Sequence, residues 1–403
     1  MRIPIVILIG LVLASPLAAQ TRPRGRDLGI PFPGKTGPNN AITDVAGIAV
    51  GHVTLIEGEG KLIPGKGPIR TGVTAILPRP KGNWDPVFAA TFNLNGNGDM
   101  TGINWIKESG FMEGPILLTG THSVGTVRDA AIQWQLKNGR KFVFTYPIVA
   151  ETFDFLNDAN GEHVKPMHAL QALDNAKPGR VQEGAVGGGT GMGCNGFKGG
   201  IGTSSRVLEA GGYTIGVLVQ CNYGGDLRIL GVPIRQEITD LRACTTLPQP
   251  LTREWTRGMP ACPSDRGATD TPEAQQYEGR GSIIVIVATD APLLPHQLER
   301  LTRRVGMALG RLGSWAGNSS GDLFLAFSTA NPGAGSSEGT PSLKMLPNDQ
   351  IDPLFRATID ATEEAVVNAM LAADTMTGAD GIRLFGLPGD RVIAALKKYN
   401  RMK

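Results

Sequence analysis

Glycine and proline punctuate a series of short apolar runs along this chain, and that pattern limits what it can fold into. The 403 residues include 55 Gly and 28 Pro, with 19% charged. That composition alone suits a disordered chain. Here, however, the glycines lie between strand-like segments, where they mark tight turns and close backbone approaches. Strands are expected over 41–55, 71–77, Val87–Asn93, 115–119, 213–220 (YTIGVLVQ), Ser282–Thr289 (SIIVIVAT) and 323–328 (LFLAFS). Helices are expected over Val124–Lys137, where Val127, Ala130, Ala131 and Trp134 share a face, and over 293–312 and 352–376. In the second of these, Leu298, Leu301, Val305, Leu309 and Leu312 recur at helical spacing. The alternation indicates an α/β domain. It breaks down between 241 and 281, a polar stretch rich in Pro, Arg, Thr and Asp. A stretch of that length without periodicity inside a compact domain is either functional or a place where the chain can be cut, and both are expected here.

The first 19 residues read as a signal peptide rather than as part of the fold. Met1-Arg2 supplies a positive charge, residues 3–14 are almost wholly apolar, and small residues precede Gln20. Pro4 and Pro16 bracket the run, which argues against a buried helix. No Cys follows the cleavage region, so the mature protein is expected to be free in the periplasm or outside the cell. Beyond residue 20 there is no apolar stretch long enough for a membrane span. The chain carries a net charge of +3, which gives no electrostatic reason to expect nucleic acid or a membrane surface as partner.

The four cysteines, 194, 221, 244 and 262, show no zinc-ligand spacing. Cys244 and Cys262 flank a polar, Pro-rich stretch, and an oxidising compartment permits a disulfide between them. Cys194 and Cys221 read as small packed residues. The five His residues show no HExxH or paired spacing, so no metal is expected. The run at 187–191 (GGGTG) lacks the Lys-Ser/Thr of a phosphate loop and the spacing of a dinucleotide fingerprint. Backbone crowding explains it better, and no cofactor is expected. No Gly-x-Ser-x-Gly elbow with a downstream His is present.

At Gly281-Ser282 a charged, flexible run meets five straight strand-formers. By composition alone this is an ordinary loop-to-strand junction. It is also a bond at which glycine, lacking a Cβ, tolerates the geometry of a backbone N-to-O acyl shift. Cleavage there leaves Ser282 with a free α-amine, whose pKa near about 7.7–8 lets it act as a base toward its own hydroxyl.

Several segments, in order, resemble the DmpA/P1 family of self-processing N-terminal-serine aminopeptidases, which includes β-peptidyl aminopeptidases. They are LNGNGDMTG at 94–102, THSVG at 121–125, EGAVGGGTGM at 183–192 and FKGGIGTSSR at 197–206. GSIIV at 281–285 with ATDAPL at 288–293, and SGD at 320–322 with AFSTAN at 326–331, complete the set. The resemblance implies stacked β-sheets between helix layers, one domain formed by two chains (20–281 and 282–403) after self-cleavage. It also implies a homo-oligomer of cleaved pairs, a tetramer.

By the same resemblance Ser282 is the nucleophile, and Ser320 and Asp322 assist its proton transfers. The family carries Glu at the carboxylate position, so Asp322 is one methylene short. Asn222, at the end of the strand from Tyr213 and read as part of an exposed turn, matches an oxyanion-hole amide. Glu151 matches the acid that binds the substrate's free amine. Phe153 stands where some members have a Tyr with a processing role, and without a hydroxyl it does not inherit that role. The substrate is expected to be a short peptide, amide or ester with a free amino end: an L-amino acid amide, a D-Ala derivative or a β-amino acid peptide. The rival readings are a non-catalytic periplasmic binding protein and an acyl transferase like ornithine acetyltransferase. The latter relatives usually expose Thr rather than Ser.

Overall fold

The computed structural model describes residues 22–141, 144–256, 258–263 and 281–403; the expected signal peptide lies outside them. Its ten principal strands are β1 (Ala49–Glu57), β2 (Ile69–Leu77), β3 (Val87–Asn93), β4 (Phe111–Met112), β5 (Ile116–Gly120), β6 (Ile148–Thr152), β7 (Gly200–Val207), β8 (Thr214–Asn222), β9 (Ser282–Thr289) and β10 (Gly321–Ser328). They form a four-stranded sheet in the order β1-β2-β5-β6 and a six-stranded sheet in the order β4-β3-β10-β9-β8-β7. Four helices matter most: α1 (Val124–Lys137), α2 (Pro166–Asp174), α3 (Pro295–Arg311) and α4 (Asp352–Leu371).

A strand with apolar residues on both faces needs cover on both sides, and β9 has it, with every residue buried. Ile284, Ile286 and Ala288 face the other sheet and pack with Leu118, Ile148 and Ala150. Ile283, Val285 and Val287 face the opposite way, in one cluster with Leu298 and Leu301 of α3 and Ala361 and Ala365 of α4. Helices α1 and α2 cover the outer face of the four-stranded sheet through Val127, Trp134, Ala169 and Leu173. The result is a helix–sheet–sheet–helix stack, the layering that the resemblance implied.

Three segments depart from the sequence reading. The strand expected from residue 41 starts only at Ala49, because Ile42–Asp44 forms a 3₁₀ turn. The Asp44 carboxylate accepts the Asn39 and Ala41 N–H groups and holds that turn closed. Helix α4 ends at Leu371 rather than 376, where Met376–Thr377 leaves to pair with Ile382–Leu384. Strand β7 (GIGTSSRV) was not recognised, since Gly and Ser are poor strand-formers. Its small residues are set by α4: a Cβ on Gly202 would lie 2.0 Å from the Ala365 carbonyl oxygen.

The two cysteines read as packed residues are instead bonded, Cys194 to Cys221, and Cys244 is bonded to Cys262. Spacing in sequence gave no hint of the first pair, because β8 and the short strand Gly193–Cys194 meet only in the folded chain. Among the described residues no helix is long and apolar enough to cross a membrane.

Two glycine substitutions should move stability in opposite directions. G202A forces β7 and α4 apart and should cost about 1–3 kcal/mol or more. G310A adds a methyl where nothing lies within 4 Å, inside exposed helix, and should gain about 0.5–1 kcal/mol. Denaturant midpoints of the two variants against the parent protein check both signs.

Candidate active site

The register of β9 assembles the site. Ser282, its first residue, pairs with Asn222 of β8 on one side and Gly321 of β10 on the other. Directly paired residues present their side chains on one face. Ser282 shares its face with Ile284, toward the four-stranded sheet. There it lines a cleft of about 590 Å³ together with Asn97, Asp99, Thr121, Glu151 and Phe153.

The Ser282 hydroxyl donates to the carbonyl oxygen of Gly281 at 2.8 Å. The Gly321 N–H donates both to Ser282 Oγ, at 3.1 Å, and to that same carbonyl, at 3.3 Å. Gly281 has φ +130, and a Cβ there would sit 1.9 Å from the Asn222 carbonyl oxygen. Only glycine fits before the serine.

Asn222 is not on an exposed turn. It is the last residue of β8 and fully buried. Its Oδ1 accepts the Gly193 N–H at 2.9 Å, and its Nδ2 donates to the Phe153 carbonyl at 2.9 Å. Those two bonds fix which end of the amide is which. One Nδ2 hydrogen keeps no acceptor among the described residues.

Ser320 and Asp322 form a buried pair, with the Ser320 hydroxyl donating to Asp322 Oδ1 at 2.7 Å. The shorter carboxylate therefore does reach its serine. Burial pushes the Asp322 carboxyl above the ordinary aspartate range, against the opposing pull of the Ser320 hydroxyl, the Asn95 amide and the Ile283 N–H. No hydrogen bond joins either side chain to Ser282 among the described residues. The link runs through Gly321, the residue between them.

Glu151, in β6, is buried across the cleft. Its Oε1 accepts the Asp99 N–H at 2.9 Å, and its Oε2 accepts the Thr121 hydroxyl. Burial raises its pKa, and these two donors partly offset the rise. Asp99 lines the same cleft, so the wall opposite Ser282 offers two carboxyl groups to a cation. The Gly321 N–H, Asp99 and Thr121 were not singled out from sequence. The last two lie inside the quoted motifs, but a backbone N–H has no signature in a sequence.

Residues 40–384 match the sequence profile of Peptidase family S58. The chain belongs to that family. It is 50% identical over 402 residues to a β-peptidyl aminopeptidase (BapA) of Sphingosinicella microcystinivorans, covering 98% of this chain and 97% of that one. A second BapA, from Sphingosinicella xenopeptidilytica, is 44% identical, covering 96% and 94%. Among solved structures, the L-aminopeptidase D-Ala-esterase/amidase of Ochrobactrum anthropi, described as a variant of the Ntn-hydrolase fold, superposes with a TM-score of 0.82. It is 42% identical, with 95% of this chain and 100% of that one covered. A β-aminopeptidase of Burkholderia sp. gives a TM-score of 0.78 at 44% identity, covering 93% and 98%. The protein is thus an aminopeptidase of family S58 with an Ntn-hydrolase fold. Neither the binding-protein nor the ornithine-acetyltransferase reading fits membership of a peptidase family.

If Ser320 and Asp322 act as one unit, S320A and D322N should each lower kcat, and the double variant should be no slower than the slower single one. Effects that multiply in full would separate the two residues.

Proposed function

We propose that the chain cuts itself between Gly281 and Ser282, and that the new N-terminal serine removes amino-terminal residues from short peptides, amides or esters. The observation that carries this reading is the contact between the Ser282 hydroxyl and the Gly281 carbonyl, with one backbone N–H aimed at both atoms. In the cleavage step Oγ attacks the Gly281 carbonyl carbon, the C–N bond breaks, and the hydroxyl proton ends on the departing nitrogen. Breaking that bond frees the α-amine of Ser282 and leaves Gly281 as an ester on Oγ; water then hydrolyses the ester, releasing the Gly281 carboxylate and restoring the hydroxyl. Negative charge builds on the Gly281 oxygen, where the Gly321 N–H already donates.

In turnover the α-amine of Ser282 takes the hydroxyl proton as Oγ attacks the substrate carbonyl, and later passes it to the leaving amine. Asn222, with one N–H to spare, supplies an oxyanion donor. The Ser320–Asp322 pair steadies the proton movements beside Gly321. Glu151 and Asp99 hold the substrate's ammonium, which makes the enzyme an exopeptidase. Two relatives at 50% and 44% identity carry the name β-peptidyl aminopeptidase, which makes peptides with an N-terminal β-amino acid the first substrates to try. L-amino acid amides and D-Ala derivatives come next. The apolar, small-residue N-terminus and the two disulfides support export to the periplasm or beyond.

The purified protein should run as two fragments, the smaller one beginning at Ser282, whereas S282A should stay intact and inactive. A cleaved S282A protein would refute self-cleavage at this bond.

E151Q should lower kcat/KM by roughly ten- to a hundredfold, as for a charge-assisted contact of about 1.5–3 kcal/mol. Because burial raises the Glu151 pKa, its charge is lost as pH falls through that raised value. The parent enzyme's kcat/KM should therefore fall more steeply on the acid side than that of E151Q, which keeps only the fall caused by protonation of the Ser282 α-amine. Comparing an aminoacyl p-nitroanilide with its N-acetyl form completes the test, since equal rates on the two would remove the aminopeptidase role of Glu151.

A further inference from the structure

Lys198 is fully buried, and no carboxylate is paired with it among the described residues. Its Nζ donates to the carbonyl oxygens of Met192 at 2.8 Å, Gly199 at 2.7 Å and, more weakly, Gly189 at 3.4 Å. A cation without a counter-ion in the interior is costly, and burial pulls the Lys198 pKa down to about 7. The two close carbonyls could be held without a charge, since a neutral amide offers two N–H donors.

What the charge does is suggested by the next bond. The peptide whose carbonyl (Met192) accepts from Lys198 is the one whose N–H (Gly193) donates to Asn222 Oδ1 at 2.9 Å. We propose that Lys198 is a positioning residue for the reaction, acting through the Met192–Gly193 peptide to orient and polarise the Asn222 carboxamide. This rests on the reading of Asn222 as an oxyanion donor. A cation on the carbonyl draws electron density through the peptide and makes its N–H a stronger donor. That N–H in turn draws density from Oδ1 and makes the Nδ2 hydrogens more acidic, as in any chain of hydrogen bonds. The same bond occupies Oδ1 with the Gly193 N–H, so that the amide has an N–H rather than its oxygen left to offer a developing oxyanion. Gly199 completes the clamp: its own N–H donates to the Met192 carbonyl at 2.9 Å. A Cβ on it would lie 2.3 Å from the Cys221 carbonyl oxygen, next to Asn222.

The test is a cycle of K198M, N222A and the double variant, with kcat and KM measured on the cleaved enzyme against an aminoacyl p-nitroanilide. K198M should lower kcat about ten- to a hundredfold while KM moves less than about threefold. In the N222A background the same change should cost less than about threefold, because its route of action is gone. If self-cleavage slows, its first-order rate is read through the same cycle. K198Q keeps two N–H donors without the charge; it and K198M should both melt cooperatively, and K198Q should show the kcat loss. Wild-type kcat in K198M, a loss that multiplies in full with N222A, or failure of both Lys198 variants to fold would each overturn the proposal. N222A with wild-type kcat would instead sink the oxyanion reading on which it rests.

Discussion

Ser282 pairs with Asn222 on one side and Gly321 on the other, and the cleft is built outward from that double register. Side chains in a strand alternate faces, so a slip of one residue turns every side chain to the opposite layer. In β9 such a slip would put Ser282 among the helices of α3 and α4 and Ile283 in the cleft. What prevents it is the apolar fit of two layers at once: Ile284 and Ile286 between the sheets, Ile283 and Val285 against the helices. The Ser282 hydroxyl is therefore aimed by packing that extends well beyond it.

Close backbone approach is the second requirement. Gly281 touches the Asn222 carbonyl, and Gly321 leaves only 2.3 Å between its would-be Cβ and the Asn97 carbonyl oxygen. Side chains at either position would push apart the strands that bring Ser282, its preceding carbonyl and the Gly321 N–H together. Of the two causes read into the glycine richness, tight turns and close backbone approaches, the second is the one at work here, as main chain crowds around one serine.

Polar groups inside the stack are placed rather than tolerated. Gln220 bridges the two sheets, donating from Nε2 to the Thr119 carbonyl at 3.0 Å and to Thr152 Oγ1 at 2.8 Å. Arg206 on β7 meets Glu364 of α4 at 2.7 Å, and Arg24 meets Glu183 at 2.7 Å. Buried pairs of this kind add little net stability, but removing one partner strands the other. The first ties β7 to α4, and the second ties the segment before β1 to the chain leading into β7. Lys198 differs from them in having carbonyls rather than a carboxylate as partners, so its charge reaches further along the chain.

The sequence alone determined the parts that depend on local pattern. SIIVIVAT, lacking any polar alternation, had to be a strand covered on both faces, and the leucine spacing after residue 293 had to be a helix. The abrupt start of that strand at Gly281-Ser282 was visible too, as were Ser320 and Asp322 through the SGD motif, while Glu151 and Asn222 came only from the family resemblance. Tertiary structure decided what depends on approach between distant segments. Strand β7 was hidden because its Gly and Ser residues answer to α4, about 160 residues away, and not to strand propensity. The Cys194–Cys221 bond and the burial of Asn222 follow from where two strands meet. The Gly321 N–H has no side chain to announce it. Packing is what places that ordinary backbone donor beside Ser282, and a lysine of a glycine-rich run against the Met192 and Gly199 carbonyls, because it sets which groups they can reach.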